Sequence, residues 1–284
     1  MSLTRVLLLA ICATVSASAL PAYAQAAAGR EYRVLLVGNS LTYTNNLPAL
    51  LRAVGASQGD RIVTETYAGP AATLSQHAKL GQVANAMRNR TFDVVVLQEM
   101  GGLVACLTSA SQQRKAPCAA SEQAHEELAK VAAANGARTL LLSTWARDER
   151  GQARIDRGMR QLAKDTGATV FDAAGGVESL RKSMPDARPY PDGVHPSTMA
   201  SLMIAVTLYR QITGNTPQAR DLKVDAVLLP VNAAVSPATA MESQAAIAGT
   251  GKPTLVPASL IAPLVKALPD TKASAKMDPS RRRR

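Results

Sequence analysis

The chain has 284 residues, enough for one sizeable core with additional segments. Its formal net charge is +11, and part of the basic excess lies in four consecutive arginines at residues 281–284. Aromatic residues make up only 3% of the sequence, so platforms for stacking bases are scarce and nucleic acid is not an expected partner. The basic tail is expected either to make loose electrostatic contact with an anionic envelope surface or to remain solvated without a partner.

Residues 1–24 have the pattern of a secretory signal peptide. Arg5 supplies a short positive region, residues 6–15 are largely apolar, and a small-x-small pattern ends at Ala24. The apolar run is short for a membrane span, although a retained anchor is the alternative. We therefore expect cleavage near Ala24 and a secreted or periplasmic protein.

Strands alternate with helices in the next part of the chain. Short apolar runs rich in β-branched residues predict buried strands, whereas helical periodicity and capping residues predict helices. The predicted elements are a strand over 32–37, a helix over 47–57, a strand over 61–66, a helix over 77–89 and a strand over 92–97.

Two cysteines, Cys106 and Cys118, follow in a segment without clear periodicity. Their spacing fits no zinc motif, so no metal site is expected. In an oxidising compartment, a disulfide between them would close a short loop and contribute roughly 3 kcal/mol. Free buried thiols are the alternative.

The alternation then continues to about residue 214. Helices are predicted over 122–134, 152–166 and 197–212, and strands over 139–142 and 168–171. Such βα units predict a three-layer α/β/α fold of flavodoxin type, with a central parallel sheet. A sheet of this kind presents its reactive groups at the carboxyl ends of its strands.

The composition changes near residue 217, where prolines begin to interrupt Ala, Val and Thr. Residues 25–216 are therefore assigned to the main domain and 217–284 to an Ala/Pro-rich extension with little core of its own. An edge strand over 225–231 and a short helix over 258–268 are expected in the extension, with disorder from about residue 270.

Three histidines limit the choice of a general base. His77 and His125 lie in predicted helices, where surface or half-buried positions are expected. His195 instead lies in a loop between two prolines, three residues after Asp192. A tight turn there would bring the carboxylate onto the imidazole, although a structural Asp-Gly turn is the alternative.

Ser40 follows the first predicted strand, at the edge where a parallel sheet exposes reactive groups. A serine hydroxyl needs a base to become nucleophilic, and His195 is the best-placed candidate. We therefore predict a catalytic triad of Ser40, His195 and Asp192. A capping role for Ser40 at a strand-to-helix turn is the alternative.

The segment Gly38–Thr42 (GNSLT), together with Asp192-x-x-His195, resembles the SGNH/GDSL hydrolases. The resemblance spans about residues 32–214 and implies a serine esterase in which Ser40 is the nucleophile. The first block of the family usually reads Gly-Asp-Ser, so Asn39 departs from it. The motif also differs from the G-x-S-x-G elbow of the α/β-hydrolase fold.

The resemblance further implies donors for an oxyanion. Gly69, after the second predicted strand, matches the glycine of the second block, whose backbone N–H joins that of Ser40. The third block is expected to read Gly-x-Asn-Asp, but this chain has Leu97-Gln98-Glu99, so Gln98 becomes the candidate side-chain donor. Donors of this kind contribute about 3 kcal/mol each in related chemistry.

Two residues are candidates for the substrate pocket. Glu99 is expected either to hydrogen-bond the Ser40 turn or to be a surface carboxylate. Trp145, the only tryptophan, follows the strand over 139–142 and either walls an acyl or sugar pocket or packs in the core.

Together, these features predict an exported serine esterase or deacetylase that acts on a small-molecule or polysaccharide acyl ester. An acyl-enzyme mechanism of this type needs no metal and no organic cofactor. The irregular third block motivates the alternative, a non-catalytic protein of the same fold that binds envelope or polysaccharide.

Overall fold

The computed structural model of the protein describes residues 29–247 and 252–268. The predicted signal peptide and the arginine tail lie outside these residues. A central sheet of five parallel strands has the order β2-β1-β3-β4-β5. Its strands are β1 (Glu31–Gly38), β2 (Arg61–Ala68), β3 (Val94–Gln98), β4 (Arg138–Leu142) and β5 (Thr169–Phe171).

The helices connect these strands and continue after them. In chain order they are α1 (Ser40–Tyr43), α2 (Leu47–Gln58), α3 (Leu74–Leu80), α4 (Gln82–Asn89), α5 (Gly101–Ala105), α6 (Ala110–Gln113), α7 (Ala116–Ala134), α8 (Glu149–Thr166), α9 (Ala173–Ser183), α10 (Thr198–Thr213) and α11 (Ala258–Lys266). Short 3-10 turns occur at Thr44–Asn46, Cys106–Thr108, Met241–Ser243 and Ala245–Ile247.

The helices cover both faces of the sheet. Helices α2, α9, α10 and α11 pack on one face, where Val34 and Leu36 of β1 point. Helices α3, α4, α7 and α8 pack on the other face, against Leu35 and Val37. Because a strand covered on both faces must be apolar throughout, the runs in β1 and β3 are continuous rather than alternating. The predicted three-layer α/β/α fold is confirmed.

Most differences from the predicted elements have a local cause. The helix predicted over 77–89 is divided into α3 and α4 at Gly81, which adopts a left-handed φ of 72°. Helix α9 was not predicted, because its first turn contains Gly175 and Gly176, which weaken the helical pattern. The Asp172 carboxylate stabilises the start of this helix, because it accepts the Gly175 N–H at 2.8 Å.

Cys106 and Cys118 form the predicted disulfide, with a Cα–Cα distance of 6.2 Å. The bond links the 3-10 turn after α5 to the first turn of α7. A disulfide is compatible with the predicted extracytoplasmic location. Among the described helices, none combines the length and apolar character needed to cross a bilayer.

The described part of the extension packs against the main domain. β6 (Leu222–Val224) pairs antiparallel with β7 (Thr254–Val256), so the strand lies before the range predicted over 225–231. Helix α11 matches the helix predicted over 258–268. The apolar side chains of these elements join the core beside α2 and α10; they are Leu222, Val224, Val256, Ile261 and Leu264.

Glu242 of the extension protects the exposed edge of the sheet. The strand β2 lies at that edge, so its outward N–H groups lack a neighbouring strand. The Glu242 carboxylate accepts the Thr66 N–H at 2.9 Å, the Thr66 hydroxyl at 2.9 Å and the Thr64 hydroxyl at 2.8 Å. The extension therefore satisfies donors that β2 would otherwise leave open.

Replacing Glu242 with alanine should lower the free energy of unfolding by about 2 kcal/mol, because it removes a charged acceptor from three donors. Urea unfolding of the purified protein measures this change. Asp225→Ala is the matched control, since Asp225 makes one exposed ion pair with Arg52 and should cost less than about 0.5 kcal/mol. Equal losses in the two variants would contradict a special role for Glu242.

Candidate active site

The Ser40 turn lies at the carboxyl end of β1 and leads directly into α1. Gly38 precedes it where no side chain fits: a Cβ there would lie 2.3 Å from the Thr42 hydroxyl and 2.5 Å from the Gln98 amide oxygen. A larger residue at this position would therefore displace Thr42 or Gln98, so their close approach depends on glycine. The turn leaves Ser40 and Leu41 partly exposed, whereas Asn39 and Thr42 are buried.

Asn39 stands where the family usually has the aspartate of Gly-Asp-Ser, and its side chain makes two contacts. Its side-chain oxygen accepts the Leu41 N–H at 3.1 Å and caps α1, a role that aspartate shares. Its side-chain nitrogen donates to the Ala72 carbonyl at 3.2 Å, which a carboxylate cannot do. Asn39 thus ties the Ser40 turn to the loop that follows β2.

Gln98 anchors the Ser40 turn through hydrogen bonds. Its buried amide oxygen accepts the Asn39 N–H at 2.9 Å and the Thr42 hydroxyl at 3.0 Å. Its amide nitrogen donates to the Glu99 carbonyl at 3.1 Å. The oxygen of Gln98, rather than its N–H, therefore faces the turn. In this geometry the Gln98 side chain does not point an N–H toward the predicted oxyanion.

Ser40, His195 and Asp192 form one continuous hydrogen-bonded line. The Ser40 hydroxyl lies 2.9 Å from His195 Nε2, and His195 Nδ1 lies 2.6 Å from Asp192 Oδ2. The structure thus brings together the three predicted residues, although Ser40 and His195 are 155 positions apart in sequence.

The Asp192 carboxylate also organises the loop that carries His195. Its other oxygen accepts the backbone N–H groups of His195 at 2.7 Å and Val194 at 2.9 Å. The bonds from the His195 backbone and imidazole, followed by the bond from Val194, lower the pKa of Asp192 to about 2. Asp192 is therefore ionised at neutral pH and available to stabilise a protonated imidazole.

Asn45 connects the nucleophile side of the site to the histidine side. Its side-chain nitrogen donates to the Pro196 carbonyl at 2.8 Å and to the Ser201 hydroxyl at 3.0 Å, and its oxygen accepts from Thr198 at 3.2 Å. Asn45 has a left-handed φ of 57°, which asparagine tolerates better than most residues. Nothing in the local sequence pattern indicated this role, because its partners lie about 150 residues away.

Gly69 lies beside the Ser40 turn. In the sheet register, Ala68 pairs with Gly38, so Gly69 follows β2 next to the position of Asn39. A Cβ at Gly69 would lie 2.8 Å from the Pro237 ring, so the extension packs directly on this glycine. Gly69 therefore lies at the same edge of the sheet as Ser40.

Glu99 differs from both expectations, because it neither bonds the Ser40 turn nor lies on the surface. It is fully buried and accepts the N–H groups of Leu74 and Met100, at 3.0 and 2.8 Å, and the Ser121 hydroxyl at 3.1 Å. Burial raises its pKa, and the hydrogen bonds oppose that shift. Glu99 therefore joins the end of β3 to α3 and α7 and does not line the pocket.

Trp145 supports the His195 loop and lines a neighbouring cavity. Its indole N–H donates to the Val194 carbonyl at 2.7 Å, and its ring stacks on Tyr190 with centroids 4.6 Å apart. The cavity, about 820 Å³ in volume, lies between the start of α8, the start of α9 and the loop before His195. It reaches Gly193 but includes neither Ser40 nor His195 in its lining.

The other two histidines are buried, contrary to the expected surface or half-buried positions. His77 Nε2 lies 2.8 Å from the Gly38 carbonyl, and His125 Nδ1 lies 2.7 Å from the Ser121 carbonyl. The second ring nitrogen of each has no partner in the described structure. Burial lowers both pKa values, that of His125 to about 4, so both rings are neutral at pH 7.

Among the described residues, no group of three or more His, Cys, Asp or Glu side chains is arranged to hold a metal ion.

The sequence matches no protein-family model and no curated protein sequence. Among solved structures, a DUF4886 family protein from Bacteroides uniformis is 13% identical, with a TM-score of 0.51 over 65% of this chain and 84% of that chain. The acetylxylan esterase Axe2 from Geobacillus stearothermophilus is 17% identical, with a TM-score of 0.50 over 68% of this chain and 99% of that one. At these identities, the likeness shows a shared fold.

The buried His125 should make stability depend on pH. The folded pKa of His125, near 4, lies below its ordinary value of 6.5, so the unfolded chain binds the proton first and stability falls as pH drops below 6.5. Between pH 7 and 5, the wild type should lose about 2 kcal/mol more than His125→Gln, whose side chain does not titrate. Urea unfolding at both pH values measures the difference. The same pH dependence in both proteins would show that His125 does not titrate in this way.

Proposed function

We propose that the protein is a serine ester hydrolase of SGNH type that acts through an acyl-enzyme. The observation that carries this proposal is the unbroken line from the Ser40 hydroxyl through His195 to Asp192, with distances of 2.9 and 2.6 Å. A capping serine and a structural Asp-Gly turn would have no reason to meet across 155 positions of sequence.

The geometry allows each residue a definite role. With Nδ1–H donated to Asp192, His195 Nε2 is the acceptor that takes the Ser40 proton as Oγ attacks the ester carbonyl. The negative Asp192 stabilises the imidazolium that results. His195 then returns the proton to the leaving alcohol, and the same residues activate the water that hydrolyses the acyl-enzyme.

The oxyanion would be bound by backbone donors. We assign this role to the N–H groups of Ser40 and Gly69, because both follow the carboxyl ends of neighbouring strands. The Leu41 N–H is already bonded to Asn39, and Gln98 turns its oxygen toward the site. Gln98 and Asn39 are therefore proposed as positioning residues for the Ser40 turn.

Axe2 gives independent support. Its catalytic mutants replace a serine, an aspartate or a histidine, and the aspartate precedes the histidine by three positions. The spacing of Asp192 and His195 is the same. An ester of a small molecule or polysaccharide is accordingly the proposed substrate, and export is the proposed setting.

Replacing Ser40 with alanine should reduce kcat for p-nitrophenyl acetate by at least about 10⁴-fold, because no other group replaces the nucleophile. Steady-state kinetics on both purified proteins measure the loss. Ser111→Ala, an exposed serine far along the chain, serves as the control and should keep wild-type turnover. Turnover by Ser40→Ala at the wild-type rate would exclude the enzyme proposal and favour a non-catalytic binding protein.

Asp192→Asn should lower kcat by about 10³- to 10⁴-fold, because a neutral partner no longer favours the tautomer that accepts the Ser40 proton. Its KM should change little, since Asp192 does not contact the substrate in this mechanism. Asp186→Asn removes the same charge from an exposed position of the preceding segment and should leave kcat within about twofold. Equal effects of the two substitutions would argue against the triad.

A further inference from the structure

Helix α8 carries a stripe of positive charge that the proposed reaction does not use. Five cations lie on it at helical spacing, and all five are exposed. We define this basic stripe as Arg150, Arg154, Arg157, Arg160 and Lys164. At about 100° per residue, they fall within an arc of about 120° and extend over about 21 Å of helix.

The basic stripe is not paired with the acids of its own helix in the part of the chain that the structure describes. Within the described parts of the chain, none of its five side chains forms an ion pair or a side-chain hydrogen bond. Three nearby carboxylates bond elsewhere: Asp148 accepts the Gly151 N–H, Asp156 accepts from Gln152, and Asp165 accepts from Gln161. A fourth acid, Glu149 in the first turn, forms no ion pair with the stripe among the described residues.

This arrangement opposes the stability of the helix. Neighbouring members are three or four residues apart, where like charges repel by about 0.2–0.5 kcal/mol per pair. Arg150 lies in the first turn, where the helix dipole disfavours a cation. A bound polyanion would relieve both effects at once.

The stripe is continuous with the cavity beside the His195 loop. Arg160 belongs to the stripe and also lines the cavity, and Arg147, which precedes α8, lines the cavity as well. Helix α8 follows β4 after residues 143–148, so the Arg150 end of the stripe lies toward the carboxyl edge of the sheet, where the candidate active site also lies. The α8 residues that line the cavity extend from Glu149 to Arg160, so a linear ligand on the stripe would lie alongside the cavity.

We infer that the basic stripe and the adjoining cavity bind a linear anionic polysaccharide, such as a polyuronate. Sugar hydroxyls can donate to Asp156 and Asp172 in the cavity, and a sugar ring can pack beside Trp145. The carboxylates of the polymer would pair with the arginines outside it.

The surroundings of the stripe argue against two other polyanions. Among the described residues, the exposed large apolar side chains are Leu80, Val194, Val231, Leu255 and Leu260, so α8 offers none to a lipid surface. The exposed face of α8 also has no aromatic side chain for stacking a base.

A binding experiment with the full chain tests this inference without relying on the proposed ester hydrolysis. The stripe variant carries Arg150→Gln, Arg154→Gln and Arg157→Gln. The control variant carries Lys79→Gln, Arg114→Gln and Lys130→Gln, which removes the same charge from exposed positions elsewhere. Biolayer interferometry on immobilised polygalacturonate at low salt measures Kd for each, with neutral dextran as a blank.

The stripe variant should bind polygalacturonate at least about tenfold more weakly than the wild type, with a shallower salt dependence, whereas the control variant should change less than about threefold. Hydrolysis of p-nitrophenyl acetate should be unchanged. Thermal unfolding should show that the stripe variant is folded; if it is not, Arg154→Glu alone should still weaken binding more than Lys130→Glu.

Three results would overturn the inference: equal loss of affinity in the stripe and control variants, no binding by the wild type, or tighter binding to single-stranded DNA or phosphatidylglycerol vesicles than to polygalacturonate. The first would assign the affinity to net charge, and the last would assign the stripe to another class of polyanion.

Discussion

Two hydrogen bonds to the buried amide oxygen of Gln98 fix the turn on which the candidate site depends. They come from the Asn39 N–H and the Thr42 hydroxyl, on either side of Ser40. Because both donors are buried, losing the acceptor would leave them unsatisfied at a cost of about 1–3 kcal/mol each. The backbone of the turn therefore cannot move without breaking these two buried hydrogen bonds, and they keep Ser40 in one orientation.

The loop that carries Asp192 and His195 is held by hydrogen bonds from several residues. Asp192 accepts the backbone N–H groups of its own loop, Trp145 donates to the Val194 carbonyl, and Asn45 donates to the Pro196 carbonyl. Asn45 is also only five residues after Ser40, so it joins the two halves directly. These contacts explain how two loops far apart in sequence keep the triad side chains within hydrogen-bonding distance.

The extension contributes to the same edge of the sheet. Pro237 packs on Gly69, and Glu242 bonds the Thr66 N–H of β2, the strand that leads to Gly69. The Tyr43 hydroxyl donates to the Val231 carbonyl at 2.6 Å, which ties the end of α1 to the extension as well. Residues of the extension thus pack against the end of α1 and against the end of β2.

The fold was largely predictable because it depends on patterns that are local in sequence. The buried strands are apolar runs, and capping residues such as Ser197 before α10 mark the starts of helices. The division between α3 and α4 was missed, because it depends on a single glycine that does not interrupt the helical periodicity. Ser40, Asp192 and His195 could be proposed because few residues carry that chemistry.

The supporting contacts could not be predicted. Whether Gln98 offers its oxygen or its nitrogen depends on donors 56 and 59 residues away, and the burial of Glu99, His77 and His125 depends on how α3 and α7 pack. These are tertiary properties that a single residue pattern does not encode. The pairing of the basic stripe is another such property, because the sequence gives the spacing of its cations but not the position of the acids around them in the folded chain.

The central claim is that the folded protein activates Ser40, and a fluorophosphonate probe tests it most directly. The probe phosphonylates a serine that an adjacent base has made nucleophilic, with release of fluoride. Intact-mass and peptide mass spectrometry should find one adduct, located on Ser40, and none after the protein has been unfolded in urea. No adduct on the folded protein, or an adduct on a different serine, would contradict the account.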